Sequence, residues 1–139
     1  MNKILHDIQR YLNGIHFFAA IGDTQMVRTI LYDNPILIEL RSKEHRTPIL
    51  TAAFYRQPLV ASLLIRHDQR VIHQTDQNGL TALHYAVKNN DSSTTQILIG
   101  SGADIHQTDR FSTVWSEIIR PFCNCNLSIF WTLIKGISN

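Results

Sequence analysis

Ile72-His73-Gln74-Thr75-Asp76 returns letter for letter as Ile105-His106-Gln107-Thr108-Asp109. An identical pentapeptide recurring at that distance marks stacked copies of one supersecondary unit. Such a unit cannot bury its apolar face alone, so at least three must stack into an array. Arrays of this kind present a surface rather than a reaction cleft.

The register extends both ways. Thr47-Pro48-Ile49-Leu50-Thr51-Ala52 stands one period before Thr81-Ala82-Leu83-His84-Tyr85-Ala86, and Ile15-His16-Phe17-Phe18-Ala19 begins one period before Ile49. Thr113 follows Thr81 by slightly less than a full period, so Ser112-Thr113-Val114-Trp115 opens a fourth copy with a shortened loop. Each unit predicts two short helices. In the third, Thr81 caps a helix with Leu83, Ala86 and Val87 inward. Asn90-Asp91-Ser92 breaks it and caps a second helix carrying Ile97, Leu98 and Ile99, which Gly102 ends. An extended Ile105–Asp109 segment then leads into the next unit. The second copy repeats the pattern with Ile49, Ala52 and Ala53, then Val60, Leu63, Leu64 and Ile65. The first supplies Ile15, Phe18 and Ala19, then Met26, Val27, Ile30 and Leu31. Small alanines on the first helix allow close stacking, and the second helix supplies aliphatic bulk.

These units resemble ankyrin repeats. The family pattern Thr-Pro-Leu-His-x-Ala is matched by Thr81–Ala86 with one change and by Thr47–Ala52 with conservative drift, and Gly102-Ala103-Asp104-Ile105-His106 follows the later Gly-Ala-Asp-hydrophobic-Asn signature. The resemblance covers roughly residues 13–120. It implies an all-α solenoid of helix-turn-helix units with hairpin loops, three to four repeats plus N- and C-terminal capping helices, in one domain. The expected boundaries are a cap over 1–12, repeats over 13–45, 46–79 and 80–111, and a degenerate fourth repeat or cap over 112–139. It also implies recognition on a concave side lined by first helices and hairpin tips. The helix positions there are Ala20 and Ile21, Phe54 and Tyr55, and Lys88 and Asn89. The tips are Lys43, Glu44 and Arg46, then Gln77, Asn78 and Leu80, then Arg110 and Phe111. Two adjacent aromatics at solvent-facing positions point to a binding hot spot, with burial of Phe54 against a neighbouring repeat as the alternative. Lys43, Arg46, Arg56, Lys88 and Arg110 make this side mildly basic, which suits an acidic or phosphorylated segment of a partner protein.

The remaining features bound the function. Thirteen Lys and Arg against 11 Asp and Glu give a net charge of +2, scattered rather than striped, which argues against a nucleic-acid surface. No run of about 20 apolar residues predicts a membrane span. The N-terminus carries charge where a secretory signal needs an apolar core, and reads as an amphipathic capping helix with Ile4, Leu5, Ile8 and Leu12 on one side. Cys123 and Cys125 are poorly spaced for a disulfide and are expected to stay reduced in a cytoplasmic setting. Apolar Leu127–Ile134 reads as a closing helix, or else as an exposed patch. His84 and His16 are expected to hydrogen-bond within and between repeats, and His73 and His106 to make local backbone contacts. No metal-ligand spacing occurs, and no cofactor is implied. A Cys-His hydrolase pairing Cys123 or Cys125 with His84 or His106 has no supporting local sequence. The expectation is a non-catalytic, monomeric protein-binding module. The alternative is a piece of a larger bacterial effector whose activity lies elsewhere.

Overall fold

A left-handed residue ends each first helix, and this one device sets the architecture. The computed structural model describes residues 14–110. Within them α1 is described over 14–21, followed by α2 (Thr24–Asp33), α3 (Pro48–Phe54), α4 (Pro58–His67), α5 (Ala82–Lys88) and α6 (Ser92–Gly100). Gly22, Arg56 and Asn90 recur once per repeat with φ of 83°, 59° and 58° and turn the chain from first helix to second. The next residue then caps two of the second helices: Asp23 accepts the Met26 N–H and Asp91 the Thr94 N–H, at 3.1 and 3.3 Å. The hairpin tips use the same conformation at His45 and Gly79, with φ of 60° and 79°.

First helices stack on first helices and second on second, α3 against α5 and α4 against α6, giving two layers. Ala52 and Ala86 are fully buried where the first layer is closest, and Leu31, Leu64 and Leu98 recur fully buried through the second. Each of those leucines contributes about 1.5–3 kcal/mol by its burial. Carbonyls at equivalent positions also tie neighbours together. Gln57 donates to the Ala20 carbonyl at 2.9 Å, and Asn89 to the Phe54 carbonyl at 2.7 Å.

His84 shows why its slot favours a histidine. Its Nδ1 accepts the Thr81 N–H at 2.9 Å while the Thr81 hydroxyl accepts the His84 N–H at 3.4 Å, a capping box. Nδ1 is therefore unprotonated, and Nε2 donates to the Gln107 carbonyl at 3.0 Å, joining the repeat to the hairpin that follows. Burial holds this imidazole below its ordinary pKa, against the opposing pull of the Gln107 carbonyl. In the second repeat Leu50 fills the same register, fully buried, and the Thr47 hydroxyl is left buried without a hydrogen-bond partner.

The structure departs from the sequence reading at several points. Met26 is exposed, because α2 turns only Val27, Ile30 and Leu31 inward. Ile105 and His106, expected to be extended, lie in a turn; their equivalents Ile72 and His73 close a 3-10 helix over Gln69–His73, and Pro35–Glu39 forms its counterpart. His73 and His106 are exposed, and among the described residues their side chains have no hydrogen bond to the local backbone. Carboxylates do that work instead: Asp68 accepts the Arg70 N–H and Asp104 the His106 N–H, at 3.0 and 2.9 Å. The expected capping helix over 1–12, the fourth copy over 112–139, Phe111, the two cysteines and Leu127–Ile134 lie outside the described residues.

Candidate binding face

α3 is only seven residues long, started by Pro48 at its first turn and stopped when Arg56 turns left-handed. Its short run leaves Phe54 at the last helical position and Tyr55 at the cap, 39% and 49% exposed. The two rings meet edge-to-face at 4.9 Å, and Phe54 meets Tyr85 of the next repeat in the same way at 6.1 Å. The Arg46 guanidinium lies 3.9 Å from the centre of the Phe54 ring and 5.7 Å from that of Tyr85. The Tyr85 hydroxyl donates to Asp76, whose other carboxylate oxygen accepts the Asn78 and Leu80 N–H groups at 2.8 and 3.0 Å. Burial, and then the Asp76 carboxylate, push the Tyr85 phenol up to about 12, so it stays a neutral donor. One chain of contacts thus runs from the first tip through α3 and α5 to the second tip.

Beside this platform is a cavity of about 230 Å³ between α1 and α3, beneath the first tip. Phe17, Ala20 and Tyr55 supply apolar walls, Ser42, Glu44 and Arg46 the rim, and His16 and Thr51 the floor. His16 Nδ1 lies 3.2 Å from the Thr51 hydroxyl, and burial lowers the pKa of this ring as well. The Glu44 carboxylate is held below its usual range by its own N–H and by the Ser42 hydroxyl, with a smaller pull from Arg46. The Nε of Arg46 is buried without a hydrogen-bond partner.

The described residues expected at the face divide into four sets. Phe54, Tyr55 and Arg46 come together as described. Lys43, Gln77, Lys88 and Arg110 are exposed, and among the described residues neither Lys43 nor Lys88 is ion-paired; the ion pair found among those residues joins Arg70 to Asp68. Asn89 and Asn78 are half-buried and engaged within the scaffold, Asn89 through its side chain and Asn78 through its backbone. Asn89 donates to the Ala53 and Phe54 carbonyls, and the Asn78 carbonyl accepts the Arg110 N–H at 2.7 Å. Leu80, expected at a tip, is instead buried in the core. Sequence reasoning overlooked Phe17 and Tyr85. Phe17 is 59% exposed and lies one helical turn before Ile21, itself 54% exposed, a pairing the helical period could have revealed. Tyr85 was hidden inside a repeat motif.

Among the described residues no group of three His, Cys, Asp or Glu side chains could hold a metal ion, and no helix is long and apolar enough to cross a membrane. The family model for ankyrin repeats (3 copies) matches residues 15–109. The chain is 33% identical over 101 residues to a probable palmitoyltransferase AKR2 of Saccharomyces uvarum, covering 69% of this chain and 14% of that protein. It is 30% identical over 91 residues to transient receptor potential cation channel subfamily A member 1 of Homo sapiens, covering 64% of this chain and 8% of that one. The chain therefore spans a small part of the length of either relative.

Proposed function

This chain belongs to the ankyrin-repeat family, and from that premise we propose that it is a non-catalytic, monomeric module that binds an acidic segment of a partner protein along its first-helix face. One observation supports this most: Phe17, Ile21, Phe54 and Tyr55 all stay exposed on that face, where two of them border a cavity. Tyr32, Ile36 and Leu59 are exposed too, but on the second-helix side and without ring stacking among the described residues. Lys43, Arg56, Lys88 and Arg110 are exposed at the tips and first-helix ends, and this positive charge suits an acidic segment. Binding works by rigid presentation. The platform is already tied through Arg46, Tyr85 and Asp76, so little ordering cost remains to be met on association. The cytoplasm is the proposed setting, on the spacing of Cys123 and Cys125 alone.

A pull-down from cell lysate followed by affinity measurement on the captured partner tests the reading. Tyr55→Ala is expected to weaken that complex by about 1–3 kcal/mol, with an unchanged thermal melting curve. Equal capture by wild type and variant would move the binding surface elsewhere. A second reading makes the same module the recognition part of a longer protein with its activity outside this stretch. The small share of each relative that the chain spans favours it.

A further inference from the structure

We infer that the α1–α3 cavity and the stacked Arg46 form a two-part subsite that takes an apolar side chain and a carboxylate two residues apart on an extended strand of the partner. This rests on the first-helix face being the binding face. The cavity, at about 230 Å³, falls below the roughly 300–1,000 Å³ of small-molecule sites, so it suits a single side chain. Its walls of Phe17, Ala20 and Tyr55 are apolar, and that side chain is correspondingly apolar.

Arg46 sits on the rim of the same cavity. Its guanidinium is fixed over Phe54 at 3.9 Å, and among the described residues no carboxylate is ion-paired with it. Stacking removes the rotamer freedom that an arginine ordinarily loses when it grips a ligand, and a planar guanidinium matches a carboxylate in bidentate fashion. Glu44, the acidic group at the rim, is turned to its own N–H and to Ser42. Asp76 is occupied by Tyr85 and two backbone N–H groups. The Tyr85 hydroxyl meets Arg46 but is neutral, and Glu44 interacts with it only weakly, so the positive charge of Arg46 is largely left for an incoming anion. The guanidinium stands on the rim of the cavity itself, so the two groups they take leave the same side of the partner strand. In extended chain that means positions i and i+2, about 7 Å apart.

The test uses a displayed library of random dodecapeptides selected on the full chain, followed by fluorescence anisotropy with the selected peptides. Enriched sequences are expected to share an apolar residue two positions from Asp or Glu. Arg46→Met keeps an unbranched side chain of similar length and removes the charge. It is expected to weaken these peptides about ten-fold or more, with circular dichroism confirming an unchanged fold. Changing the peptide acid to its amide costs as much, and combining the two changes costs no more than either. If selected peptides lack the acid, or Arg46→Met leaves them unaffected while Tyr55→Ala abolishes binding, the carboxylate subsite is wrong and the binding face stands. If binding survives both variants, or no peptide is enriched, both readings fall. A selected peptide that gains strongly when phosphoserine replaces its acid would overturn the carboxylate assignment.

Discussion

Replacing His84 by leucine separates the polar task of this position from its packing. Leu50 occupies the same register in the second repeat with no exposure, so the volume of a leucine is compatible with the stack. What the variant loses is polar: the Thr81 N–H no longer has Nδ1 as acceptor, and the Gln107 carbonyl no longer has Nε2 as donor. A buried group left without its partner costs about 1–3 kcal/mol. The half-buried Gln107 carbonyl regains water, so the expected loss at pH 7.5 is about 2 kcal/mol, read from urea denaturation followed by far-UV circular dichroism. The loss also has a pH signature. Because the native ring must keep Nδ1 free, and burial lowers its pKa, the unfolded chain takes up the proton first as the pH falls through about 6.5. Stability from the neutral ring is thus complete above that pH and declines below it, by at most about 1.4 kcal/mol per pH unit for one histidine. Leucine has no such dependence. The gap between wild type and His84→Leu should therefore narrow between pH 7.5 and pH 5.5. A gap that is constant or widens would refute the assignment of a buried neutral imidazole.

Three further outcomes follow from the same geometry. Leu64→Ala, at a fully buried site between stacked second helices, should cost about 2–5 kcal/mol of stability by cavity formation, measured in urea. Gly22→Ala should cost about 1–2 kcal/mol. Its φ is 83°, and a Cβ there would come within 2.4 Å of the Gln57 side-chain oxygen and disturb the bond from Gln57 to Ala20; thermal melting reads the loss. Asn89→Ala should destabilise the fold by about 1–2 kcal/mol, because its amide ties α5 to the Ala53 and Phe54 carbonyls. Lys88→Ala, next to it and exposed, should leave the melting curve in place.

The repeat period made the helix pairs legible because it reports two local choices that recur in every unit. Apolar residues fall on one side of each helix, and a residue tolerant of left-handed backbone ends the first helix. Asn90 reads as a breaker by its chemistry. Arg56 does not, and only alignment with Gly22 and Asn90 identifies its φ of 59°. The 3-10 helices were illegible for a related reason. They depend on how Asn34 and Asp68 leave the preceding helix, and Ile72-His73, though it recurs between repeats, is too short to show a helical period.

The candidate binding face was only partly legible, and the division has a physical cause. Phe54 and Tyr55 stand out because aromatic residues occupy positions where the pattern calls for polar ones. Arg46 and Tyr85 acquire their roles from each other across a repeat boundary, through the ring of Phe54. A repeating register places equivalent positions side by side, but it says nothing about which non-equivalent side chains cross between repeats. Asn89 illustrates the consequence. It shares its register with Tyr55, yet its amide is spent on the backbone of the preceding repeat while the Tyr55 ring remains at the surface. Equivalent positions in this stack therefore differ in use: Ile21 and Tyr55 stay at the surface, whereas Asn89 binds the scaffold. A substitution tests recognition only where the side chain, like Tyr55 or Lys88, has no described hydrogen bond to the neighbouring repeat.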